Sequence, residues 1–326
     1  MRNLVPVMLL VCGLQLHAQE PRVYFHARYE PRHGVLTGAG QVDAEDVKHY
    51  ADALGGVANP AIFMDYVDVH TPDPARFFRE LGEKLNALGW YAVPQIGLGM
   101  DDDAGHPYDD KVAGGQYDSQ IRQLANLLKA LRRPVFLRIG YEFHGSWNGY
   151  HPATYAAAFR RIVEILRKAH VRNVATVWCA ESAALTPDYR KYYPGDEYVD
   201  WWAIDLFEAA SFTKPVVEAF MQDAWRTHKP VMIGESTPRH VGVLDGEQSW
   251  KAWFAPYFDF IGRHAHVKAF CYINWEWRLW ARRYSADWAD WGDARIQMNA
   301  EVSRRFAEEL AKPLYIKARA AQRLRP

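Results

Sequence analysis

Residues 134–180 read PVFLRIGYEFHGSWNGYHPATYAAAFRRIVEILRKAHVRNVATVWCA. The stretch opens on an apolar run of strand length, Pro134–Tyr141, passes into an amphipathic segment at Pro152–Ala169, and closes on a second apolar run at Asn173–Ala180. Pro152 falls in the first turn of the middle segment, where its missing N–H does no harm. Strand, helix and strand in that order, with both strands continuously apolar, imply parallel pairing under helical cover.

The same alternation recurs on either side. Strands are expected at Val35–Gly40, Ala61–Val67, Tyr91–Leu98, Val199–Phe207, Pro230–Glu235 and Val267–Trp275. Helices are expected at Ala44–Leu54, Asp73–Leu88, Ser119–Leu131, Val216–Thr227, Ser249–His264 and Met298–Ala311. After Ala180 the helical candidate is only the short Thr186–Tyr193. Eight strand–helix units in about 290 residues fit an α/β fold of the (β/α)8 TIM-barrel type better than an open doubly wound sheet. No G-x-G-x-x-G follows the first strand, and Gly38-Ala39-Gly40 alone is a weak dinucleotide signal. No repeat, low-complexity stretch or linker divides residues 19–326, which read as one domain. The basic tail from Lys312 to Pro326 reads as a solvated terminus or a short helix.

The 326 residues carry 39 Lys+Arg against 39 Asp+Glu. That balance leaves no basic surplus to displace counterions, which argues against a nucleic-acid partner. A hydrophobic content of 49% with 24% charged residues excludes disorder. Beyond the N-terminus no apolar run approaches the roughly 20 residues that span a bilayer. Residues 1–18, with Arg2, an apolar stretch from Leu4 to Leu16, and Ala18 before Gln19, read as a removable signal peptide. A secreted or periplasmic protein is therefore expected. A lipid-anchored start at Cys12 is the lesser alternative, because Val11 before it is bulky. Cys179 and Cys271 sit inside apolar runs and read as buried free thiols. The expected state is a monomer.

In such a barrel, reacting groups lie at the C-terminal ends of strands. Those ends are Asp65, Gln95, Arg138 with Glu142, Trp178, Asp205, Glu235 and Trp275. Glu142 and Glu235 stand out because each closes an otherwise apolar strand, where a charge is costly without a partner or a task. Arg138, four residues before Glu142, shares its strand face and can hold a neighbouring carboxylate ionised. Strands four and seven face each other across a barrel. Their carboxylates can approach to about 5–5.5 Å, the separation suited to glycosidic cleavage with retention. Thirteen Trp, 18 Tyr and 15 Phe add flat faces on which pyranose rings pack. A structural ion pair is the competing reading of either Glu. Asp205 reads as a sugar-hydroxyl ligand or a partner of Arg138, Trp201 and Trp202 as core, and Trp277 and Trp280 as cleft lining. Trp288 and Trp291 read as packing for a long loop. Asp101-Asp102-Asp103 lacks an EF-hand ligand loop, and His106, His144 and His151 lack the H-E-x-x-H zinc arrangement. Neither a metal nor a cofactor is expected.

The segment Arg138-Ile-Gly-Tyr-Glu142-Phe-His-Gly-Ser-Trp147 resembles the acid/base segment of glycoside hydrolase family 26, a family of retaining (β/α)8 hydrolases best known for β-mannanases. Arg four residues before the Glu, Gly three after it and Trp five after it all match. Lys229-Pro-Val-Met-Ile-Gly-Glu235 resembles the family's nucleophile strand. Weaker similarities are Gly38-Ala-Gly-Gln41, Trp178, and Tyr193-Pro-Gly-Asp-Glu-Tyr-Val-Asp200. The resemblance implies Glu142 as acid/base, Glu235 as nucleophile, Arg138 as support for the nucleophile, Trp147 as a sugar-contacting aromatic and Trp275 as the floor for the ring being cleaved. Tyr141, His144, Trp178 and Asp205 complete the expected substrate-contacting set. Tyr141 stands where the family usually has His, and His144 where it usually has Asn, so mannan need not be the substrate. A β-glucan, a xylan, a bacterial exopolysaccharide, or a barrel that binds a β-linked glycan without cutting it are the alternatives.

Overall fold

The computed structural model describes residues 22–40, 43–102, 105–282 and 285–324. Residues 1–18, for which a signal peptide was expected, with Cys12, and the positions Gln41 and Asp103, lie outside the described residues. Eight strands form the centre: β1 (Val35–Gly40), β2 (Ile62–Asp68), β3 (Val93–Gly99), β4 (Val135–Ile139), β5 (Val174–Glu181), β6 (Trp201–Leu206), β7 (Val231–Ser236) and β8 (Val267–Ile273). Each pairs in parallel with the next, and β1 pairs with both β8 and β2, so the sheet closes on itself. This is the expected (β/α)8 barrel.

Helices cover the outside at Ala44–Ala53, Pro74–Ala87, Asp118–Ala130, Pro152–Lys168, Pro215–Arg226 and Ala300–Ala311, within two residues of the sequence expectation. Asp43, Asp73 and Asn299 cap three of them, each accepting from a backbone N–H of the first turn. The stretch after β5 forms only a 3-10 turn, Pro187–Tyr192. Helix also runs over Glu247–Arg263, passing through a π-helical stretch at Trp250–Phe254. Within the tail, where a solvated terminus or a short helix was expected, Tyr315–Ile316 pairs with Val35–Leu36 as a ninth short strand, β9, and Ala318–Ala321 forms a short helix. Two residues carry no readable period, and β9 pairs with the start of β1, ahead of the β1–β2 pairing that begins at Gly38. Cys179 and Cys271 are buried free thiols, and Trp201 and Trp202 are core.

The N-terminal mouth is plugged by the segment before β1. Arg22 donates to the carbonyls of Ile261 at 2.7 Å, His264 at 2.5 Å and Val267 at 3.3 Å, satisfying the end of the last helix before β8. Glu30 accepts from the N–H groups of Phe25 and Ala27, and Lys268 reaches the Val23 carbonyl. The cleft that holds the two glutamates opens at the opposite mouth. Replacing Arg22 with Ala removes charge-assisted bonds that nothing else supplies. We expect a loss of about 1.5–3 kcal/mol in urea unfolding, with catalytic constants unchanged in the folded protein.

Candidate active site

At the C-terminal mouth lies a cleft of about 700 Å³, and both Glu142 and Glu235 line it. Their settings differ. Glu235 ends β7 and takes a hydrogen bond from Arg138 Nη2 to its Oε1 at 2.7 Å. The same Nη2 donates to Asp205 Oδ2 at 2.9 Å. Arg138 and Asp205 are fully buried, so a guanidinium inside the barrel holds two carboxylates at once. Burial works against that charge, but Asp205, Cys179 and Glu235 outweigh it and hold Arg138 firmly protonated. A register shift between β6 and β7 allows this arrangement. Ile204 pairs with Ile233, but Leu206 pairs with Ser236, so β7 carries one extra residue there. The extra residue lets Glu235 face the same interior as Asp205. Gly234 makes the room, since a Cβ on it would meet Asp205 Oδ1 at 2.6 Å. Tyr66 hydrogen-bonds Glu235 from β2 and stands edge-on to Tyr141.

Glu142 sits beyond the end of β4 on a turn with φ 52°, a left-handed conformation that costs on the order of 1–3 kcal/mol in a residue with a side chain. Three contacts hold it there. Its carbonyl accepts from Gly145 N–H at 2.8 Å. Asn148 Nδ2 donates to the carbonyls of Tyr141 and Glu142. Phe143 turns outward and stacks on Trp178 at 4.4 Å with planes 6° apart. Trp147 folds back over Gly145, where a Cβ would meet its indole at 2.3 Å, and donates from Nε1 to Glu142 Oε2 at 2.7 Å. That hydrogen bond is the physical content of the Glu–x–x–Gly–x–Trp spacing. Burial raises the Glu142 carboxyl well above its ordinary value, and repulsion from Glu235, Asp205 and Glu181 raises it further.

The expected contact residues divide. Tyr141, Trp147 and Trp275 line the cleft. Trp178 does not. It lies on the outer face of β5, fully buried against Trp202 and Phe220 of the covering helix, because the strand's period of two turns it away from Cys179 and Glu181. It supports the turn that carries Glu142 through Phe143 and cannot touch a ligand in the cleft. His144 also leaves the cleft, its Nε2 donating to the Glu181 carbonyl at 2.9 Å and its pKa pushed down to about 4 by burial. Arg138 and Asp205 lie beneath Glu235 and are not surfaces for a sugar. Asp65 points outward to Lys84 at 2.7 Å.

Sequence reading missed Tyr66, Glu181, Phe207 and Arg239, all in the cleft wall. A signal existed for two of them: Tyr66 is offset by one residue from the outward Asp65, and Glu181 by two from the inward Cys179. Trp277 and Trp280 line the cleft, as expected, and so do Trp288 and Trp291, for which only loop packing was expected. Trp275 and Trp280 stack at 4.1 Å.

The sequence model of Glycosyl hydrolase family 26 matches residues 31–258. A beta-1,3-xylanase from Vibrio sp. is 28% identical over 94% of this chain and 70% of its own length. A second beta-1,3-xylanase, from Alcaligenes sp., is 28% identical over 94% of this chain and 68% of its own. Among solved structures, a family 26 β-mannanase from Bacteroides ovatus superposes with a TM-score of 0.63 at 16% identity, covering 88% of this chain and 91% of that one. At that identity it shares the fold alone.

Two outcomes follow from the geometry. Replacing Arg138 with Met leaves Asp205 buried without its cation, and we expect a loss of about 3–5 kcal/mol in urea unfolding. Replacing Trp147 with Phe removes a donor that favours the ionised form of Glu142. The carboxyl should then keep its proton to higher pH, moving the alkaline limb of the kcat/KM profile upward.

Proposed function

Because the chain belongs to glycosyl hydrolase family 26, we propose that it is a secreted, retaining β-glycanase with Glu142 as acid/base and Glu235 as nucleophile. It is a glycoside hydrolase, and β-glycosidic bonds of polysaccharides are its class of target. The observation that carries the finer reading is the contrast between two carboxylates in one cleft. Glu142 is pushed toward the protonated form, while Glu235 is hydrogen-bonded to a buried guanidinium. Divergent settings of this kind separate an acid from a nucleophile.

In the first step Glu142 gives its proton to the glycosidic oxygen as Glu235 attacks the anomeric carbon. The carbon–oxygen bond to the leaving sugar breaks and a glycosyl ester on Glu235 forms. That ester removes the negative charge of Glu235, one of the causes that raise Glu142. Glu142 is then a carboxylate suited to take a proton from water, and the resulting hydroxide releases the sugar and frees Glu235. Arg138 and Tyr66 orient the attacking carboxylate. The stacked Trp275 and Trp280 offer a platform for the sugar faces.

We rank β-1,3-xylan first as substrate, since two relatives carrying that name align with nearly the whole chain. β-Mannan comes second, supported by the segment around Glu142 and weakened by Tyr141 and His144. A polymer too large to enter a cell also accords with export by the leader at residues 1–18.

A polysaccharide panel with product analysis tests the reading. Newly released ends should appear first as the β anomer by proton NMR. Replacing Glu235 with Ala should lower kcat by roughly 10⁴-fold or more while oligosaccharide affinity survives. Replacing Glu142 with Ala should slow polysaccharide by roughly 10²–10⁴-fold and an activated aryl glycoside far less. Binding without turnover in the native protein would instead support a non-catalytic glycan binder.

A further inference from the structure

Arg239, four residues beyond Glu235, is the one cation among the described residues that line the cleft; its neighbours there include Glu142, Glu181, Glu235 and Asp287. Its side chain is held on two sides and its backbone at a third point. The guanidinium lies over the Trp291 ring, 4.5 Å from the centroid. Its Nη1 pairs with Glu208 Oε1 at 3.1 Å. The backbone N–H of Arg239 donates to the Phe207 carbonyl at 3.2 Å, tying its loop to the end of β6. The next residue, His240, donates its backbone N–H to the Trp291 carbonyl, and Thr237 Oγ1 accepts from Trp277 Nε1 at 2.9 Å. The loop after β7 is thus stitched to the tryptophan-rich loop after β8.

This bracing leaves donors over. A guanidinium carries five N–H groups. Among the described residues Glu208 is its one ion-pair partner, held through Nη1; the Nε–H is buried and out of a ligand's reach, so the donors left for the cleft are those of the terminal nitrogens. The paired charge also has a sign consequence. Glu208 neutralises Arg239, and among the described residues the other ionisable groups lining the cleft wall are carboxylic acids, which disfavours an acidic sugar there. A neutral sugar gains a flat, pre-oriented donor group whose rotamer entropy is already lost before binding.

We propose that Arg239 is a specificity-determining residue that donates hydrogen bonds to adjacent hydroxyls of a neutral sugar unit, with Trp291 and Glu208 as its positioning residues. This deepens the glycoside-hydrolase reading of the same cleft and rests on it. The contact is made in both the ground state and the transition state, so it acts on binding more than on turnover.

The test compares Arg239→Met, which keeps the stem over Trp291, and Arg239→Lys, which keeps the charge without the planar fork. Kinetics are measured on the best neutral polysaccharide of the panel. Calorimetry with a neutral oligosaccharide from the same glycan is run in the Glu235→Ala background. We expect KM and Kd to rise roughly 10-fold or more in both variants, with kcat within about two-fold and the thermal midpoint little changed. Unchanged KM and Kd would overturn the inference and leave the hydrolase reading standing. A parallel fall in kcat and in thermal midpoint, without loss of affinity, would also overturn it, by making Arg239 a strut between loops. If the native protein binds but does not cut, the Kd arm alone decides. If it binds no neutral oligosaccharide, both readings fall.

Discussion

A guanidinium sealed inside the barrel is the constraint on which the site depends. Arg138 is fully buried, and such a charge is tolerated only where opposite charges and hydrogen bonds replace water. Asp205 and Glu235 supply them from β6 and β7. The extra residue in β7 and the missing side chain of Gly234 are the adjustments that let two carboxylates reach one Nη2. Asp205 makes the cation permanent, and the permanent cation orients Glu235 at the mouth. A carboxylate held from below, in the proposed role of nucleophile, needs no reorganisation when a sugar arrives, which is the form of preorganisation that lowers barriers.

The proposed acid is held by the opposite strategy. Glu142 stands on a left-handed turn and is kept there by contacts around it, with Phe143 wedged outward against Trp178. Trp178 thus serves the site from the wrong side of the sheet for a ligand. Indole and carboxylate are joined through Trp147, so a sugar stacking on that ring lies next to the Glu142 carboxyl. Burial and three carboxylates raise Glu142, and one of the three is the group consumed in the proposed first step. The switch from acid to base is thereby coupled to progress along the reaction.

Around the two carboxylates the wall is mainly aromatic, and its loops support one another. Trp277 donates to Thr237 of the β7 loop, and that loop in turn leans on Trp291. Such a wall offers apolar area to sugar faces and few fixed polar groups, and those few carry the selectivity.

How much of this was legible from sequence differs by level. The barrel was, because apolar strands alternating with amphipathic helices are local patterns. The positions of Glu142 and Glu235 at strand ends were legible for the same reason, and so was the spacing of Trp147 from Glu142. The face each side chain takes was not. A period of two reverses every assignment on a slip of one residue, which placed Trp178 in the cleft and overlooked Glu181 and Tyr66. The meeting of Arg138 with Asp205 and Glu235, 67 and 97 positions away, was legible as one of two readings of Asp205 and as an implication of the family resemblance, but not that a single Nη2 reaches both. The sequence alone determined the alternation, the two acids and the aromatic supply. Closure of the sheet and the shifted register of β7 decided which of those residues share a cavity, because only packing across the barrel brings distant strands to one point.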